Sequence, residues 1–138
     1  MTKVCVKMKT SSKKAKGRGL QYWVAEKVAW LFDKKFVYAD DLCPVKSRGM
    51  GQQGNDVFIT DSELFKKFPF AVECKCTETV SLYAYIEQVK ANAKEGQPWL
   101  VIHKKNRSKP VVILDAEYFF DMLKQGVLNV ENKEQSQD

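Results

Sequence analysis

The sequence predicts a small α/β domain in which a mixed central sheet is flanked by helices. Three observations predict it. The chain has 138 residues, 44% of them hydrophobic, which suffices for one core and is too short for two full domains and a linker. Residues 19–34 and 81–95 carry apolar side chains at helical spacing. Short apolar stretches bounded by glycine, proline and charged turns lie between and after them, which is the pattern of strands.

The elements follow in order. Residues 1–18 hold seven Lys/Arg with Ser11, Ser12, Gly17 and Gly19 breaking any apolar pattern, so a flexible basic arm is expected, with a short edge strand at Val4–Val6. At about 100° per residue, Leu20, Gln21, Val24, Ala25, Val28, Leu31 and Phe32 form one helical stripe over 19–34. Gln21 lies inside it, and a polar side chain there needs a partner or a cleft. Residues 35–55 are loop-rich, with a short strand near Leu42–Ser47. They end on Arg48-Gly49-Met50-Gly51-Gln52-Gln53-Gly54, where three glycines mark a turn or a close backbone approach. Asp56–Thr60 reads as a strand, Asp61–Phe68 as a connection with one helical turn, and Phe70–Cys76 as a second strand after Pro69. In the helix over 81–95, Leu82, Ile86, Val89 and Ala93 share a face and Gly96 supplies the stop. Trp99–His103 and Val111–Leu114 are strands around a basic turn. Asp115 caps a last helix to about Lys124, and 129–138 is a polar tail. A single domain over 19–128 is expected.

The formal charge is +6, from 23 basic and 17 acidic residues, and it is uneven. Residues 1–55 hold 12 Lys/Arg against 4 Asp/Glu, whereas 56–138 hold 11 against 13. The basic half is the electrostatic footprint of a protein that meets a polyanion, and nucleic acid is the expected partner. Lys13, Lys14, Lys16, Arg18, Arg48, Lys104 and Arg107, with the hydroxyl of Ser47, are the candidate phosphate contacts. No apolar run of about 18 residues exists, so no membrane partner is expected. The lysine-rich start lacks the apolar segment of a signal peptide, so Cys5, Cys43, Cys74 and Cys76 are expected as reduced thiols in the cytoplasm. One histidine and a Cys-x-Cys spacing do not fit a structural zinc site.

The chemistry concentrates in Phe70-Ala71-Val72-Glu73-Cys74-Lys75-Cys76. Strand alternation puts Val72, Cys74 and Cys76 on one face and Ala71, Glu73 and Lys75 on the other. A surface ion pair contributes only about 0–1 kcal/mol, but the apolar surroundings make this strand central, where two charges require a use. Strands joined by a short connection lie antiparallel and adjacent, which brings Asp56 toward Glu73 and Lys75. Two carboxylates suit a hard divalent cation such as Mg²⁺, with Mn²⁺ as substitute. Such a cation lowers the pKa of bound water, and a lysine beside it stabilises charge developing on phosphorus.

Gly54-Asn55-Asp56 followed by Glu73-Cys74-Lys75, behind a helix opened by Gly17-Arg18-Gly19-Leu20-Gln21, resembles the PD-(D/E)xK nuclease superfamily, in particular its archaeal and phage-type Holliday junction resolvases. The resemblance spans residues 13–123 and also takes in Thr77–Tyr83 and Asn106–Pro110. It implies a restriction-endonuclease-like core of order αβββαβ. Asp56 and Glu73 match its metal ligands, the carbonyl of Cys74 a backbone metal ligand, and Lys75 the catalytic lysine. Gln21 stands where many resolvases carry a glutamate and brings an amide without charge; Asn55 stands where proline is usual. Gln88 matches a site-proximal glutamine of related nucleases. The implied activity is Mg²⁺-dependent hydrolysis of phosphodiesters in branched DNA, in recombination and repair in a bacterial, archaeal or phage-infected cell. The alternatives are a restriction-like, flap or single-strand nuclease on the same site, a DNA-binding module without catalysis, and a structural domain. Trp23, Trp30 and an apolar surface of Tyr118, Phe119, Phe120, Met122 and Leu123 suggest a homodimer, which would match a two-fold symmetric junction.

Overall fold

The computed structural model describes residues 10–135, with side-chain environments from residue 12 to residue 126. The elements are α1 (Thr10–Trp30), β1 (Val45–Ser47), β2 (Val57–Ile59), α2 (Ser62–Lys67), β3 (Ala71–Cys76), α3 (Leu82–Asn92), β4 (Trp99–Lys104), β5 (Val111–Leu114) and α4 (Ala116–Gln135). The five strands form one open sheet in the order β1-β2-β3-β4-β5. β1, β2 and β3 make an antiparallel meander, β3 and β4 run parallel with α3 between them, and β5 returns antiparallel along β4. The chain is therefore an α/β protein with a mixed sheet flanked by helices.

Each face of the sheet has its own helix. Leu20, Val24, Ala25, Val28 and Ala29 of α1 pack on Val45, Val57, Val72, Leu100 and Ile102. Tyr85 and Val89 of α3 pack on Ala71 and Val101 on the other face. The central parallel pair is thus covered on both sides, as parallel strands generally are, and the face of β3 that carries Glu73 and Lys75 is itself largely covered.

Several boundaries differ from the expectation. The helix starts at Thr10, so Thr10–Arg18 is helical where the composition predicts an arm. Glycine disfavours helix interiors by about 1 kcal/mol, but tertiary contacts hold this stretch. Lys16 Nζ donates to Asn106 Oδ1 at 3.0 Å, and a Cβ on Gly17 would stand 3.2 Å from Met50 Cε. The expected strand at Val4–Val6 lies outside the described residues. α1 ends at Trp30 and not near 34. Asp33 takes the left-handed conformation (φ 55°), and Lys34 N–H bonds back to Ala29 O at 3.0 Å, closing the helix end and leaving Leu31 exposed. α3 ends at Asn92, and Gly96 (φ 74°) serves the following turn. α2 is capped by Asp61, whose Oδ1 accepts from the N–H groups of Glu63 and Leu64. Asp115 accepts from Tyr118 N–H as expected, but α4 continues past Lys124 to Gln135, so part of the expected tail is helical. Among the described residues, no helix is long and apolar enough to cross a membrane.

Candidate active site

The site forms where the sheet opens. β2 and β3 pair at Val57↔Val72, and Asp56 N–H continues the ladder to Val72 O at 2.9 Å. The next rung is made by a side chain. Asp56 Oδ2 accepts from the backbone N–H of Cys74 at 2.7 Å. On the other side, Asp56 O accepts from Arg48 N–H at 2.8 Å. The carboxylate is held on three counts: its residue's N–H, its residue's C=O and its own oxygen. β2 thus gives way to a side chain beside Cys74, and a cleft of about 540 Å³ lies along Glu73, Cys74 and Lys75.

Glu73 is 3% exposed, and its Oε1 stands 3.3 Å from Lys75 Nζ. Burial pushes its carboxyl up to about 7; the charge of Asp56 adds to the rise and Lys75 opposes it. Burial also raises the Asp56 carboxyl, opposed by the Cys74 N–H bond and by Lys75 and Arg48. Both carboxyls are thus raised by burial, and each is near enough to the other for their charges to interact. Two crowded carboxyl groups, with a lysine beside them, offer oxygens that fit a hard divalent cation, whose charge would favour their ionised forms. Among the described residues no group of three His, Cys, Asp or Glu side chains converges. The available oxygens are two carboxylates, amides and carbonyls, a set compatible with Mg²⁺, which keeps several waters.

The other expected residues divide. Gln21 reaches the cleft. It is 6% exposed, its Oε1 accepts from Ser47 Oγ at 3.0 Å, and its Nε2 faces Met50 Sδ at 3.7 Å. The polar interruption of the α1 stripe is therefore a residue of the cleft wall. Gln88 lines the same cleft from α3. Ser47, expected at phosphate, gives its hydroxyl to Gln21. Arg48 braces the glycine turn: Nε donates to Asn55 O at 2.8 Å, and the guanidinium stacks 4.6 Å from the Phe58 ring. Gly54 holds φ 118°, which side-chain-bearing residues rarely adopt, and a Cβ there would stand 2.7 Å from the Arg48 guanidinium carbon, so the braced arginine would have to shift. The side-chain oxygen of Asn55 is buried with no hydrogen-bond partner. Lys13, Lys14, Lys16, Arg18, Lys104 and Arg107 do not line this cleft. Cys74 turns its thiol toward the α1 side; burial first, then the two carboxylates, push it up, so it stays protonated. Among the described cysteines, Cys43, Cys74 and Cys76 are free thiols.

One group was not anticipated. Tyr85 of α3 lies under Lys75, with Nζ 5.5 Å from the ring centroid. The Tyr85 hydroxyl lies 2.7 Å from Thr77 Oγ1 and donates to Thr79 O at 3.2 Å. His103, 5% exposed, stacks on Tyr85, and its Nε2 meets Thr77 Oγ1 and Thr77 O, each at 3.0 Å. This buried network supports the ring against which Lys75 rests. The available signal was the position of the chain's one histidine on a strand opposite Lys75, but that register (Lys75↔His103) exists only in the folded sheet. No protein-family model, curated protein or solved structure matches the chain.

Proposed function

We propose that the protein is a metal-dependent DNA endonuclease of the PD-(D/E)xK type, with a restriction-endonuclease-like core, that hydrolyses phosphodiesters in branched DNA as a Holliday junction resolvase. The observation that carries this reading is the convergence of Asp56, Glu73 and Lys75 in one cleft at the point where β2 leaves β3. Asp56 and Glu73, with the Cys74 carbonyl, would hold Mg²⁺ or Mn²⁺. When bound, the cation supplies a more acidic water and neutralises charge developing on phosphorus.

The chain's own residues do the rest. The Cys74 N–H keeps Asp56 in place, so its carboxylate needs little reorganisation. Lys75, held between the Glu73 carboxyl and the Tyr85 ring, presents an ammonium that hydrogen-bonds a phosphate oxygen and orients the attacking water. The neutral Gln21 amide, fixed by Ser47, hydrogen-bonds water or substrate without adding charge. The basic face of α1 attracts the DNA backbone. The exposed Phe119, Phe120, Met122 and Leu123 of α4 are the apolar side chains we assign to a homodimer surface. The setting is the cytoplasm of a bacterial, archaeal or phage-infected cell.

The test is cleavage of a labelled four-way junction, a flap, a duplex and a single strand, each with Mg²⁺ and with chelator. Junction-selective, metal-dependent cleavage that is lost in Asp56→Asn and Lys75→Ala supports the proposal. Cleavage of flap or single strand in preference to the junction keeps the site and changes the substrate. Cleavage that survives both substitutions, or tight binding with no cleavage in either metal, overturns the enzyme reading.

A further inference from the structure

A second groove lies on another flank of α1. It holds about 470 Å³ between Lys16 and Trp23 of α1, Cys76 of β3, and Lys104, Asn106 and Pro110 of β4 and the turn after it. It shares Lys16, Cys76 and Asn106 with a smaller recess of about 270 Å³ that reaches Lys13 and Thr77–Thr79. The two make one trough, which starts at the residue after Lys75. Trp23 is 40% exposed, and Lys27 Nζ stands 5.5 Å from its ring centroid. A Cβ on Gly19 would meet nothing within 4 Å, so the space beside the helix is open there. Lys16 is aimed across the trough by its bond to Asn106 Oδ1 at 3.0 Å. The one carboxylate of the recess, Glu78, accepts from Asn106 N–H at 3.0 Å, which directs it to the turn backbone.

We propose that this trough binds an unpaired DNA strand, with one base stacked on Trp23 and the adjoining phosphates met by Lys13, Lys16 and Lys104. The proposal rests on the nuclease reading and names its substrate class more closely, as DNA with an unpaired segment beside the scissile position. The physical reasons are two. Three ammonium groups on a concave wall attract a polyanion and disfavour an acidic-poor or basic peptide. A half-exposed indole beside them offers stacking to a base face, which a duplex hides inside its own stack and an unpaired strand exposes.

The experiment uses the full chain in chelator, so that no strand is cut. Fluorescence anisotropy measures binding of a labelled oligodeoxythymidine, a duplex of equal length, and four-way junctions with and without unpaired nucleotides at the centre. The unpaired DNAs are expected to bind more tightly than the duplex. Trp23→Ala is expected to weaken them on the order of tenfold, with the duplex little changed, and Trp23→Phe to restore most of the affinity. Lys16→Glu with Lys104→Glu is expected to weaken all DNAs and flatten the salt dependence. Thermal melts of each variant check folding; Trp23 is half-exposed, and the Phe variant keeps a ring if Ala perturbs the helix. Unpaired DNA bound no better than duplex, or equal binding by Trp23→Ala and wild type, overturns the proposal. Loss of cleavage in Asp56→Asn beside unchanged binding in Trp23→Ala removes this inference and leaves the nuclease reading. Cleavage that survives Asp56→Asn removes the nuclease reading itself.

Discussion

The two halves of β3 have the same parallel neighbour and different fates. Ala71 and Val72 are fully buried, and Val72 is paired with β4 on one side and β2 on the other. Glu73 to Cys76 keep the β4 ladder, but on the β2 side a carboxylate stands in for the strand at Cys74. The first half is core and the second is a charged cleft wall. A sheet makes a polar site here by ending one ladder early. The freed backbone donor is satisfied by the acidic side chain itself, and the space left by the missing strand becomes the cleft.

That contrast can be broken experimentally, and the largest effect is expected at Lys75. Lys75→Ala should lower single-turnover cleavage by on the order of 10²–10⁴-fold, a loss larger than any accompanying fall in melting temperature from removing the partner of the buried Glu73 carboxyl. A variant that loses stability and keeps its rate would make Lys75 a structural ion-pair partner.

Next comes the pH response of the charged half without metal. The Glu73 carboxyl rises from 4.5 to about 7 on folding. The folded state therefore binds the proton more strongly, so this contribution is present below about 4.5 and is lost as pH rises through about 7. In chelator, urea unfolding should show stability falling by on the order of 3 kcal/mol between acid and alkaline pH from this group. Glu73→Gln should flatten the dependence, and Mg²⁺ should offset it at alkaline pH. A flat profile in the wild type would mean that burial does not raise the Glu73 carboxyl in the folded state.

The turn that covers the open half gives a smaller effect. Gly54→Ala forces a positive φ on alanine and drives its Cβ into the Arg48 guanidinium. The expected loss is up to about 3 kcal/mol by urea titration, with weakened metal-dependent cleavage as the turn shifts. The paired half should behave in the opposite sense to Lys75. Val72→Ala, in the dry core, should cost about 2 kcal/mol of stability and leave the cleavage rate at low temperature close to wild type. If Val72→Ala instead cut the rate as deeply as Lys75→Ala, the two halves would not be separable.

Much of this was legible in the sequence. The alternation in Phe70–Cys76 puts Glu73 and Lys75 on one face, and the misfit of Gln21 in an apolar helical stripe marks a cleft residue; both are local patterns with a known period. The glycine turn before Asp56 is legible for the same reason. The extent of α1 was not. Two glycines and a lysine cluster read as an arm until Asn106 and Met50, far along the chain, hold them in a helix. Charge and position mark Arg48 and Ser47 as candidate phosphate contacts, but not their partners within the fold, Asn55, Phe58 and Gln21. The Thr77–Tyr85–His103 network left no periodic trace, because its members come from a loop, a helix and a strand.

The order and type of the main elements, the side of β3 that bears the charges and the basic character of the first half are all written in local sequence. These depend on neighbours a few residues away, so periodicity and composition reveal them. Where β2 stops pairing, the covering of both faces of the central strand, and the opening of Gln21 and Lys16 onto different grooves of one helix follow from the fold. Strand register and helix rotation are set by packing between segments distant in the chain, and that packing has no local signature.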